Sequence, residues 1–245
     1  MIYHNRLIKP SIYLLLLIFF YGCSPTITER EPSTSKIEPT HDLIGDPAYS
    51  FDKLSVKNQS ILKSCDVSEE KFNMIMSLDF QSFDQNMNGG WREVANQENC
   101  NMASSILIGT YLARSKIYYE IYRSSLRWHM GQMLAYENKY EEAIPYFENT
   151  YHANEARTSP WNLYVDGTIA FLKKDKALLR SKRDLLAKSP VSESMKKSRQ
   201  KYIDDNPEVK MYEGYVDEPM NMPVMNDLLA CFDQPYSKAY GNCEQ

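Results

Sequence analysis

The chain has 245 residues, 43% of them apolar and 24% charged, and a formal net charge of -4. That balance excludes a wholly disordered chain, which needs lower hydrophobicity and a larger charge excess, and it argues against nucleic acid as a partner, for which a basic domain is expected. Nine glycines against eighteen tyrosines leave few tight turns and favour helices over many short strands.

Residues 1–10 carry Arg6 and Lys9, and Ile12 to Tyr21 is an unbroken apolar segment ending at Gly22-Cys23. A basic start, a short apolar core and a small residue at the break form the pattern of a secretory signal, here residues 1–22. The segment is too short to span a bilayer, which takes about 20 apolar residues. Cleavage at an ordinary signal peptidase site nearby, or retention as an uncleaved anchor, are the alternatives. Phe20-Tyr21-Gly22-Cys23 resembles the lipobox of bacterial lipoproteins, with Phe20 and Tyr21 where Leu and a small residue usually stand. The resemblance implies that Cys23 is diacylated, becomes the mature N-terminus and anchors the protein to a membrane. Two or three acyl chains suffice for that, whereas one is marginal. Ser24, rather than Asp, is similar to the outer-membrane-directed type, which implies an envelope lipoprotein facing the periplasm.

Residues 23–46 are rich in Ser, Thr, Pro and Glu and cannot bury enough apolar surface to order themselves. Stretched out, Ser24 to His41 reaches roughly 60 Å, enough to hold a folded domain off a membrane. From Pro47 the composition changes, with Tyr49, Phe51, Leu54, Val56, Ile61 and Leu62 opening the folded part. Ser68 followed by Glu69-Glu70 predicts a helix start, with Phe72, Ile75, Met76, Phe80 and Phe83 at helical spacing. Gly89-Gly90 predicts a turn and Trp91 the next helix. Two further helices follow, one through Met102, Ile106, Leu107 and Tyr111, the other through Tyr118, Tyr122, Leu126, Met130 and Leu134. Strict alternation is absent, so the expected fold is all-α, built of antiparallel helix pairs.

Residues 126–150 read LRWHMGQMLAYENKYEEAIPYFENT. Gly131, Leu134, Ala143 and Phe147 stand at the small, large, small and aromatic places of a tetratricopeptide repeat, which this stretch resembles. The resemblance implies a short α-solenoid with atypical capping helices, in which Gly131 and Ala143 sit where two helices cross closely and Phe147 fills the gap to the next repeat. A looser echo at residues 161–188 puts Gly167 and Ala170 in comparable places, with Leu178, Leu179, Leu185 and Leu186 expected to face inward. Ser159-Pro160 is a good helix start for it. Residues 47–202 are therefore expected to form the helical domain and 203–245 a tail packing on it. Phe83-Asp84-Gln85, Gly89 to Arg92, Arg127 to Gln132, Trp161 to Val165 and Cys231 to Tyr236 together resemble a group of bacterial repeat proteins, a likeness that carries no activity with it.

With Cys23 set aside, Cys65, Cys100, Cys231 and Cys243 remain, an even number that predicts disulfides in an exported chain. Sequence proximity favours Cys65–Cys100 and Cys231–Cys243. Zinc-type cysteine spacings are absent, so neither a metal nor a cofactor is expected. His129 and His152 are the only histidines of the folded part. A catalytic role would pair His129 with Glu137 or Asp166, but no nucleophile motif accompanies it. Tyr118, Tyr122, Trp128 and His129 are the candidates for a partner-binding face. From Lys173 to Lys201 there are 11 Lys/Arg against 3 Asp/Glu, a net of +8 that leaves -12 on the rest. That run is either a solvated helix face or a site for an anionic envelope partner. The expected function is an anchored scaffold that binds a protein, with a cell-envelope enzyme or enzyme accessory acting on cell-wall material as the alternative.

Overall fold

The computed structural model describes residues 50–114, 120–207, 214–240 and 243. Cys23, Tyr118 and the segments expected to be signal and tether lie outside the described residues. Helices start where the sequence supplies an oxygen for an orphan backbone N–H. Ser55 Oγ accepts from Asn58 N at the head of α1 (Val56–Ser64), and Ser68 Oγ accepts from Lys71 N at the head of α2 (Glu69–Ser77). A π-helical turn over Gln81–Gln85 leads through the Gly89-Gly90 turn into α3 (Trp91–Ala95). Then come α4 (Asn101–Arg114), α5 (Glu120–Tyr136) and α6 (Tyr140–Glu148). Pro160 opens α7 (Pro160–Leu172), Asp175 caps α8 (Lys176–Leu186), Ser192 caps α9 (Glu193–Asp205), and α10 (Met222–Ala230) follows. No strand occurs among the described residues, and the fold is all-α.

A chain with so few glycines must end its helices by other means. Asp66, Asn138 and Lys174 take up positive φ (55°, 59° and 58°) just past α1, α5 and α7. At each, one backbone N–H reaches back five residues: Val67 N to Leu62 O, Lys139 N to Leu134 O, Asp175 N to Ala170 O. These are Schellman endings, and a non-glycine residue there costs roughly 1–2 kcal/mol of backbone strain.

The described residues fall into two compact units that divide between His152 and Ala153, inside the span expected to be one domain. The N-terminal unit ends at His152 and includes Pro235–Ser237. Its centre is α4, which packs on α1, α2, α3 and α5. Ala103, Ile106, Leu107 and Ile108 are buried there, and the buried hydroxyls of Ser104 and Thr110 bond to carbonyls one turn back, so α4 is enclosed without an orphan hydroxyl at either position. The Cys65–Cys100 disulfide ties the end of α1 to the start of α4. A three-residue link makes α5 and α6 an antiparallel hairpin. Leu134, Ala143 and Phe147 are fully buried, and Phe147 lies over Gly131. A Cβ added at 131 would come within 2.9 Å of that ring.

The C-terminal unit comprises residues from Ala153 to Gln234 and from Lys238 onward. Every residue of α7 from Asn162 to Leu172 is buried, and α8 folds back on it after a three-residue link. The tail helix α10 packs on both. Gly167 faces Met225 of α10 more closely than Leu179 of α8, so the small residue of this hairpin receives the tail. Cys231–Cys243 closes the end of α10, and Arg199 of α9 donates from Nη1 to the carbonyls of Tyr215, Val216 and Glu218 (3.3, 3.1 and 2.5 Å).

Along α8 the four leucines do not share one face. Leu179 and Leu186 are buried, whereas Leu178 and Leu185 are each 40% exposed. Neighbours on a helix point about 100° apart, so a single contact face takes one of each pair and turns the other outward.

Candidate functional site

The chemistry-bearing side chains of the N-terminal unit converge where three elements meet. The π-helical turn supplies Asp84, fully buried beside Phe83. The first turn of α3 supplies Trp91 and Arg92, and the buried middle of α5 supplies His129. The turn between the first two elements depends on Gly90, whose φ of 58° and ψ of -138° suit glycine alone. A Cβ at that position would lie 2.0 Å from the Phe83 carbonyl oxygen.

Asp84 Oδ1 accepts from His129 Nδ1 at 2.7 Å and from Trp91 Nε1 at 2.9 Å, and Oδ2 accepts from Gln85 Nε2 at 2.6 Å. Arg92 donates from Nε to the Asp84 carbonyl at 2.9 Å, and its Nη2 lies 3.3 Å from His129 Nε2. A guanidinium only donates, so Nε2 must accept and the proton sits on Nδ1 of a neutral imidazole. Arg92 also lies over the Trp91 ring, 4.2 Å from its centroid. The aspartate and the guanidinium are thus joined both directly, through the Asp84 carbonyl, and by way of the histidine.

The electrostatics follow from that arrangement. Burial alone would push the Asp84 carboxyl up, but the imidazole, the guanidinium and the indole N–H outweigh it and hold the group below its ordinary value. Burial and the adjacent Arg92 hold His129 below its ordinary value against the pull of Asp84. The cluster is an ionised carboxylate, a neutral histidine and a buried arginine, with both ring nitrogens engaged and His129 only 8% exposed.

The carboxylate on His129 is therefore Asp84 and neither of the two expected from the sequence. Glu137 accepts from Asn101 Nδ2 at 3.2 Å. Asp166, in the C-terminal unit, is buried between Arg157 (2.8 Å) and Lys182 (2.7 Å). Of the proposed partner-binding residues, Trp128 is 5% exposed and packs edge-on against Phe147. Tyr122 is half-buried and stacked on Phe80 at 4.0 Å. Neither Trp128 nor His129 presents a face to a partner in this structure, while Ile121 on the same helix is exposed.

Asp84 and Arg92 are the members that periodicity does not find. A charged residue directly after Phe83, in a stripe of large apolar residues, is the one signal pointing to them, because a buried charge must be paired. Among the described residues no three His, Cys, Asp or Glu side chains gather as a metal-binding group, and no helix is long and apolar enough to cross a membrane. No family model, curated protein or solved structure matches this chain.

Proposed function

We propose that this chain is an exported, membrane-anchored envelope lipoprotein whose helical body serves as a protein-binding scaffold. The observation that carries scaffold over enzyme is the closed state of His129. It is the histidine that the sequence offers for acid–base work, and it has an acceptor on one nitrogen, a donor on the other and almost no exposed surface. A general base needs its lone pair within hydrogen-bond reach of substrate. Here that lone pair is directed at Arg92. Export is supported by two bonded cysteine pairs in a body of this size, which an oxidising compartment favours. The tetratricopeptide-like sequence from 126 to 150 supports the scaffold role, since such arrays bind partners along their helices.

Binding is assigned to the start of α5 around exposed Ile121. Residues 120–125 are exposed or half-buried, whereas Leu126 and Trp128 to Ala135 are buried. A photo-crosslinking amino acid at Ile121 in intact cells is expected to trap a discrete protein, and the same group at the buried Met130 is expected to trap none. Equal yields from the two positions, or none from Ile121, would count against the scaffold. Incorporation of a labelled fatty acid, abolished in Cys23→Ser, tests the anchor separately. An envelope enzyme acting through His129 predicts loss of cellular function in a His129→Gln chain that still folds; the scaffold predicts that function is kept.

A further inference from the structure

We propose that the outer face of α8 is a docking surface for an anionic lipid bilayer. The residues from Lys173 to Lys188 include seven Lys/Arg against two Asp. Three of the cations serve the fold: Lys182 holds Asp166, Lys174 donates from Nζ to the Phe232 carbonyl, and Arg183 donates to Asn226 and to Asp184. Lys176, Arg180 and Lys188 are exposed; Lys176 and Arg180 stand about 60° and 100° round the helix from buried Leu179, on one flank of it, and Lys188 lies just past its end. Lys176 rests 5.2 Å from the Phe232 ring, with its ammonium at the surface. Lys176, Ala177, Arg180, Ser181 and Asp184 line an open depression of about 470 Å³. Its one acidic member, Asp184, is already engaged by Arg183 at 2.8 Å.

The apolar half of the argument comes from Leu178 and Leu185. They are one heptad apart, so they line one side of the helix, and both are substantially exposed on the flank opposite Lys176 and Arg180. Cations on one flank and two outward leucines on the other fit the headgroup boundary of a bilayer, a broad surface where ammonium and guanidinium groups meet phosphate and aliphatic side chains enter the acyl edge. A partner presenting carboxylates alone would satisfy the cations and leave both leucines in water. The depression is open and shallow rather than a slot that would select a side chain. For its nearness to a bilayer this inference rests on the anchor proposed above; the chemistry of the face does not.

The test uses the full chain mixed with vesicles of phosphatidylcholine alone or of phosphatidylcholine with three-tenths phosphatidylglycerol. Pelleting with the vesicles reports the anchor. Acetylation of surface lysines, read by mass spectrometry, reports the face, with exposed Lys57 as the reference. Each basic residue at an anionic surface favours contact by about fivefold, so labelling of Lys176 and Lys188 is expected to fall at least about threefold on the anionic vesicles and to stay level on the neutral ones. The double variant Lys176→Glu with Arg180→Glu is expected to abolish protection at Lys188 and to leave pelleting by the anchor unchanged. Pelleting with both vesicles but equal labelling overturns the docking face and leaves the anchor standing. Pelleting with anionic vesicles alone supports the face and overturns the anchor; pelleting with neither overturns both. Protection by soluble polyglutamate without protection on anionic vesicles overturns the lipid assignment in favour of an acidic protein.

Discussion

At His129 the hydrogen-bond geometry sets how the N-terminal unit responds to acid. A proton added to Nε2 would face the guanidinium of Arg92 at 3.3 Å, donor against donor, so the folded state disfavours the imidazolium. The unfolded chain accepts that proton near the ordinary value of 6.5. Above that pH both states are neutral and the cluster contributes in full. As pH falls below it the unfolded state binds more protons and stability declines. Asp84 adds a second loss at lower pH, because its carboxyl titrates below the ordinary 3.8 when folded and must be protonated to unfold in acid. Urea midpoints at pH 7.5 and 5.5 are expected to differ in the parent and to converge in His129→Gln; a parent that is equally stable at both would contradict the neutral assignment. The backbone beneath the cluster makes a sharper demand. Gly90→Ala puts a methyl 2.0 Å from a carbonyl oxygen, on a residue whose φ suits glycine, and is expected to cost about 3 kcal/mol or more in chemical denaturation. These residue-scale features were only half legible. Gly89-Gly90 announces a turn and Trp91 a helix start, but pairing Asp84 with His129 requires 45 residues of separation to close, and no spacing rule reaches that far.

Among the elements, the well-read ones are those with local causes. Ser68 caps the helix it precedes, Pro160 opens α7, and the hairpin of α5 and α6 turns where its apolar pattern breaks; the caps at Asp175 and Ser192 are equally local but were not among the expectations. The helix stops were harder to see, because Asp66, Asn138 and Lys174 do the work usually signalled by glycine. The inward side of α8 carries Leu179 and Leu186 and not all four leucines, because two adjacent pairs leave the phase of the helix open by some 100°, and only the partners α7 and α10 settle it. The two leucines of each pair should therefore separate on truncation. Leu179→Ala is expected to cost about 2–5 kcal/mol as a buried deletion, and Leu178→Ala well under about 1 kcal/mol; similar values in thermal melts would undo the assigned phase. The tail helix is a further case. Its approach to Gly167 follows from tertiary packing, and the sequence around Met225 carries nothing that marks it.

For the whole molecule, the even number of cysteines was the feature most directly readable, and both pairs form as proximity suggested. The boundary at 152/153 was not readable, since the residues from Ala153 to Thr158 lack the length and composition of a linker and look like any loop between helices. The disulfides close rings spanning 35 and 12 residues. In the chain-entropy account these are worth about 4 and 3 kcal/mol respectively, more for the longer ring. Replacing Cys65 and Cys100 together by Ser is expected to lower the denaturation midpoint of the N-terminal unit more than the corresponding change at Cys231 and Cys243 lowers that of the C-terminal unit. Followed by fluorescence of Trp91 and Trp161, which lie in different units, the opposite order would contradict the ring-size argument. The longer ring has a consequence for assembly. Asp84, Trp91 and Arg92 all lie on the loop that Cys65 and Cys100 close, while His129 lies off it. Once formed, the bond confines three of the four members to one closed loop of the unfolded chain, and only the imidazole has to come from outside it. A chain kept reduced has no such noose, and its N-terminal unit folds without that restriction on the unfolded state, at a cost of about 4 kcal/mol in stability on the same account.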